Sequence, residues 1–170
     1  MISISLFLLA IVTANLSAAY FGPAATPINA FFLIGLDITL RDRLHEMWHG
    51  KQLKLKMLGL ISAGGALTYV LNQGAGQICI ASVVSFMAAL TVDVVIYEGL
   101  YKCRRTVKIN GSNIGAAAVD SILFPTIAFG AFIPWILFWQ FAAKVSGGFI
   151  WSIVFVKISY FRKLYSNVST

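Results

Sequence analysis

Residues 77–101 read QICIASVVSFMAALTVDVVIYEGLY, and no charge interrupts them before Asp93. At 1.5 Å of rise per residue, a helix of this length crosses a hydrocarbon layer about 30 Å thick. Five further apolar runs flank it, at 2–21, 27–49, 53–71, 113–130 and 133–159, the second and the last continuing into interfacial turns. The chain of 170 residues is 59% hydrophobic and 11% charged, with a positive mean hydropathy, which excludes the core of an ordinary water-soluble domain. The expected fold class is all-α: a polytopic integral membrane protein with six transmembrane helices, in which residues 1–170 form a single domain.

The breaks between runs carry turn and helix-start chemistry: Gly22-Pro23 with Pro27, Asn72 to Gly76, Gly111-Ser112-Asn113, and Gly130 with Pro134. Basic residues fall at alternate breaks. Arg41, Arg43, Lys51, Lys54 and Lys56 form one group, Lys102, Arg104, Arg105 and Lys108 a second, and Lys157, Arg162 and Lys163 a third. The positive-inside rule then predicts that both termini are cytoplasmic and that the opposite loops face outward. It also accounts for the net charge of +7 without a nucleic-acid partner. The first run lacks a basic n-region, so it reads as a retained span rather than a signal peptide, despite Ser17-Ala18-Ala19. Cys79 and Cys103 lie near opposite ends of the fourth helix, about 36 Å apart, beyond disulfide reach.

Polar groups inside the apolar runs are the candidates for function, because a charge at that depth costs several kcal/mol unless paired. Asp37, Asp93 and Asp120 lie within helices 2, 4 and 5, and Lys144 lies near the centre of helix 6, too deep to snorkel. Asp37 and Arg41, at i and i+4, have a structural alternative as a neutralising pair, as do Glu98 and Lys102. Asp120 has no opposite charge within a turn, and Pro125 follows it, which predicts a broken helix beside a buried carboxylate. Helical spacing places Asn113, Asp120 and Phe124 on one face of helix 5, Gln140 and Lys144 on one face of helix 6, and Asp93 and Tyr97 on one face of helix 4. These stripes could converge on a cavity, with Asp93 or Asp120 balancing Lys144, or could only tie helices together. Asn15 and Thr13 in helix 1 could join the cavity or bond between helices. Trp135, Trp139, Tyr160 and Tyr165 read as interfacial aromatics.

The nonamers LDITLRDRL (36–44), VDVVIYEGL (92–100) and VDSILFPTI (119–127) echo one another, compatible with an inverted repeat of three plus three helices. A second motif, HEMWH at 45–49, has the H-E-x-x-H spacing with which His45 and His49 would hold zinc and Glu46 would act as base in a protease. An intramembrane zinc protease, with Asp93 or Asp120 as third ligand, is therefore an alternative, but the motif lies at the cytoplasmic exit of helix 2, whereas cleavage within the bilayer needs its metal deeper. A pore-forming protein is the third class, but single charges buried in separate helices serve it no purpose. Neither an enzyme nor a cofactor is expected.

Four motifs carry a family resemblance: Asp42-x3-Glu46-x3-Gly50-Lys51; Asp93-x2-Ile96-Tyr97; Gly111-Ser112-Asn113 leading to Asp120-Ser121-x2-Phe124 and Ile127-Ala128-Phe129; and Gln140-x3-Lys144. Over residues 12–148 they resemble the vitamin uptake (VUT) family, also called queuosine precursor transporters, and most closely its compact phage-encoded versions. The resemblance implies a six-helix inner-membrane carrier that imports 7-deazaguanines, the cyano (preQ0) and aminomethyl (preQ1) precursors. A guanine-like edge offers an N–H beside an amino group, which a carboxylate accepts together, while its carbonyl seeks a donor. The expected base readers are therefore Asp120 and then Asp93, with Lys144, Asn113 or Gln140 on the carbonyl, Phe124 and Tyr97 stacking, and Asn15 in the wall. Asp37, Arg41, Asp42, His45, Glu46, His49 and Pro125 are the expected gate and structural residues. A substrate-binding subunit of an energy-coupled importer is the alternative transport reading. A small deazapurine and the lipid bilayer are the expected partners; self-association stays open.

Overall fold

The computed structural model describes residues 2–37, 40, 44 and 53–168, and no strand occurs among them. Helix α1 (Ile2–Phe21) contains neither glycine nor proline and runs unbroken until Gly22. Gly22 adopts φ +71°, a left-handed conformation that a side chain disfavours, and the chain reverses through a 3-10 turn at Pro23–Ala25. Thr26 Oγ1 donates to Pro23 O at 2.7 Å and fixes that turn. Helix α2 begins at Thr26–Asn29, passes through a π-helical turn at Ala30–Ile34, and is helical again at 35–37, 40 and 44.

Helix α3 (Leu53–Leu71) ends at Asn72, whose side chain accepts from Gly74 N at 3.0 Å to shape a second 3-10 turn, Gln73–Ala75. Helices α4 (Gly76–Gly99) and α5 (Arg105–Phe129) form an antiparallel hairpin, in which Gly115 lies against Ile96 and Val92, and Gly111 against Leu100. Gly130, at φ +66°, closes α5. Helix α6 (Pro134–Val168) opens with proline at its first position, where no backbone donor is lost to the helix. Its 35 residues extend about 52 Å, well beyond a hydrocarbon layer of about 30 Å.

Among the described residues, three segments are long and apolar enough to cross a membrane: Ser3–Phe21, Gln73–Gly99 and Asn110–Phe129, with the apolar Leu55–Leu71 shorter. The distribution of polarity points the same way. Leu9 (62% exposed), Ile80 (62%) and Phe149 (69%) cover the outside, whereas Asn15, Asp37, Gln140 and Lys144 are buried. Such an inversion is stable only where the surroundings are hydrocarbon.

One expectation is corrected here. Helix α5 passes through the buried Pro125 without a break. The irregular helix is α2, whose π-helical turn admits one extra residue and so re-aims the residues that follow. The turn lies where α2 meets α6 backbone to backbone: a Cβ on Gly35 would stand 2.7 Å from Gly147 C, and one on Gly147 would run into Phe31 O. Sequence pointed at the proline, but the close approach of two distant glycines belongs to the tertiary fold.

Apolar packing concentrates at two levels. Phe7, Ile11, Leu40, Leu44, Met57 and Ile61 form one buried cluster, with Leu36 and Phe86 packed against it. Ala18, Ile78, Ala81 and Ala128 form the other, with Phe124, Ile127 and Phe129. The first is built of large side chains, whereas three of the four buried residues of the second are alanines.

Candidate functional site

A cavity lies between these clusters and shares residues with both: Ile11, Ile61 and Phe86 with the first, Ala18 and Phe124 with the second. It has about 580 Å³ of empty space, part of it continuous with the outside. Five helices supply its polar wall. Helix α1 contributes Asn15, α2 contributes Thr26, Asn29 and Asp37, α4 contributes Ser82 and Ser85, α5 contributes Asp120, and α6 contributes Gln140 and Lys144.

The dominant interaction is an ion pair. Lys144 Nζ donates to Asp120 Oδ2 at 2.5 Å, with the lysine side chain 2% exposed and the aspartate 23%. Lys144 stands ten residues after Pro134, about 15 Å from the start of α6, so its stem cannot bring the ammonium to an aqueous surface. Of the two carboxylates that could have balanced it, Asp120 is the one within reach. The pair binds α5 to α6, and the carboxylate lines the cavity, its Oδ1 taking no hydrogen bond among the described residues.

Gln140 precedes Lys144 by four residues and therefore shares its face of α6. It is 3% exposed, as is Asn15. Asn29, in the same wall, donates through Nδ2 to Ala14 O at 3.2 Å and ties α2 to α1. A smaller cavity, with about 370 Å³ of empty space, shares Ile34, Asp37, Phe86, Asp120 and Lys144 with the first and adds Ala89, Asn113, Ala116 and Ala117. Asn113 is seven residues before Asp120, so this extension runs about 10 Å along α5 toward the end that carries Arg104 and Arg105.

The fold thus brings together Asn15, Asp37, Asp120, Phe124, Gln140 and Lys144 around one cavity and Asn113 around its extension. It does not bring Asp93 or Tyr97 there. Asp93 lies one turn beyond Ala89 on the same stripe of α4, past the smaller cavity's wall, and Tyr97 is 39% exposed with Lys108 Nζ 5.1 Å from its ring centre. Thr13 faces outward, and Pro125 is buried behind the wall rather than in it. Arg41, Asp42, His45, Glu46 and His49 lie outside the described residues, as do the side chains of Tyr160 and Tyr165.

Thr26, Asn29, Ser82, Ser85 and Phe86 belong to the wall and were missed in the sequence. Asn29 gave a signal, an amide alone in an apolar run just after Pro27. The serines gave none, because Ser82 and Ser85 read as ordinary helix-packing residues. Among the described residues, no group of three or more histidine, cysteine or acidic side chains stands close enough to hold a metal ion.

The chain matches one family model over residues 1–162, that of the "Putative vitamin uptake transporter". No curated protein and no solved structure matches it. A match over nearly the whole chain, joined to an apolar exterior around a cavity that holds a buried ion pair, places this protein in the vitamin uptake transporter family.

Proposed function

We propose that the chain imports a 7-deazaguanine or a closely related purine-like base across the bacterial inner membrane, binding it at the Asp120–Lys144 pair. In this reading all six helices span the bilayer with both termini in the cytoplasm, which the basic residues at one set of helix ends support. The observation that carries the proposal is the buried ion pair opening on a cavity, in a chain whose family takes up small molecules.

The pair suits a neutral, polar, planar cargo. The lactam N–H and amino group of a guanine-like edge donate to Asp120, and the adjoining carbonyl accepts from the Lys144 ammonium. The two charges stay close while they hold the base, so neither is stranded in a low dielectric. Phe124, also in the wall, offers a ring for stacking. Asp37 and Asn113 line the path from the pair toward the cytoplasmic end, with Asp93 one turn further on. The large-residue cluster around Phe7, Leu44 and Met57 is the inner seal of this path, and the alanine-rich cluster around Ala81 and Ala128 is the outer one.

The test is uptake of labelled 7-deazaguanine bases by proteoliposomes, and restoration of queuosine in the tRNA of a bacterium lacking both precursor synthesis and its own importer. Asp120→Asn is expected to abolish both. Uptake that survives this change in well-inserted protein would falsify the assignment of the site.

A further inference from the structure

Two amides in the cavity wall make no hydrogen bond with any described residue: Asn15 on α1 and Gln140 on α6. Both residues are only 3% exposed, and the atoms left without a partner are Asn15 Nδ2 and Gln140 Oε1. Other amides in this fold are put to structural use. Asn29 bonds Ala14 O, Asn72 shapes its turn, and Gln77 Nε2 donates to Ile127 O at 2.9 Å to tie α4 to α5. Buried polar atoms without partners destabilise a protein, so they persist where something outside the fold recovers the loss. Ser121 Oγ is likewise buried and unpartnered but does not line the cavity, so burial without a bond is not sufficient by itself. What distinguishes Asn15 and Gln140 is that two complementary atoms, one donor and one acceptor, are held on rigid helices in the wall of the same cavity.

We infer that Asn15 and Gln140 form a second reading edge of the site, Asn15 Nδ2 donating to a ring nitrogen of the cargo and Gln140 Oε1 accepting from its ring N–H. This rests on the proposed guanine-like cargo. Asp120 and Lys144 take the edge bearing the lactam and amino groups. In such a base an acceptor nitrogen and an N–H also stand side by side on the edge that carries the sugar in a nucleoside. N-glycosylation replaces that N–H by a C–N bond, which leaves Gln140 Oε1 without its donor and puts a sugar against the amide wall. The amide pair therefore selects the free base over its nucleoside.

The test uses the full chain in proteoliposomes, with labelled 7-deazaguanine as probe, and the same protein in detergent for thermal unfolding. Asn15→Leu and Gln140→Leu, with alanine at each position as the second variant, are each expected to lower uptake by about tenfold or more while the unfolding temperature is unchanged or raised. Amides that only tied helices together would give the opposite sign, a lower unfolding temperature with uptake retained, and that result overturns the inference. In the wild type, excess unlabelled base should compete with the probe and the corresponding nucleoside should not; equal competition also overturns it. A wild type that takes up the base, with variants that do so equally well, overturns this inference alone. A wild type that takes up neither base nor nucleoside overturns the proposed cargo and this inference together.

Discussion

Removing either partner of the Asp120–Lys144 pair should have unequal effects, and the inequality follows from exposure. At 2.5 Å, with an effective dielectric constant of about 20, the attraction amounts to about 7 kcal/mol before the cost of taking both ions from water. Desolvation offsets much of it, and breaking such a pair typically costs about 3–5 kcal/mol because one charge is left uncompensated. Asp120→Asn strands Lys144, only 2% exposed, and should show the full loss of about 3–5 kcal/mol. Lys144→Met strands Asp120, which is 23% exposed and borders the cavity, so hydration relieves it and the loss should be about 1–3 kcal/mol. The double variant Asp120→Leu, Lys144→Met removes both charges and should recover to within about 1 kcal/mol of wild type, with uptake still lost. The measurement is a double-mutant cycle of reversible unfolding in micelles alongside uptake in proteoliposomes. Single-variant losses that simply add in the double, or an Asp120→Asn protein as stable as wild type, would refute the claim that this pair is a buried, mutually dependent unit.

Gly147→Ala drives a Cβ into Phe31 O and should destabilise by about 1–3 kcal/mol through overpacking, whereas Gly59→Ala, with nothing within 4 Å, should leave the unfolding temperature unchanged or higher. Met57→Ala empties part of a fully buried cluster and should cost about 2–5 kcal/mol in the same unfolding assay. Tyr97→Leu should leave uptake within about twofold of wild type, because the ring lies outside the cavity under Lys108; Asn113→Leu, in the wall of the extension, should slow transport by about tenfold.

Much of this protein was legible in its sequence because a bilayer imposes a simple rule: spanning segments must be long, apolar and internally hydrogen-bonded. The run at 77–101, the glycines and prolines between runs and the basic breaks needed no partner to be interpreted, and α1, α3 and α4 lie close to the expected spans. Polar residues in an apolar run announce themselves for the same reason, so Asp120, Lys144, Gln140 and Asn15 could be picked out one at a time. Which of them meet was a different matter. Asp93 and Asp120 are equally conspicuous acids on neighbouring helices, yet only Asp120 stands within reach of Lys144, because the register of α5 against α6 decides it and no local spacing encodes that register. The π-helical turn of α2 arises likewise where Gly35 and Gly147 let two helices touch far apart in the chain. Sequence alone determined the all-helical, apolar-surfaced character and the residues fit for a site. Tertiary packing decided which carboxylate faces the lysine, which amides were left without partners and where the cavity lies, since these depend on contacts between helices rather than on the order of residues along any one of them.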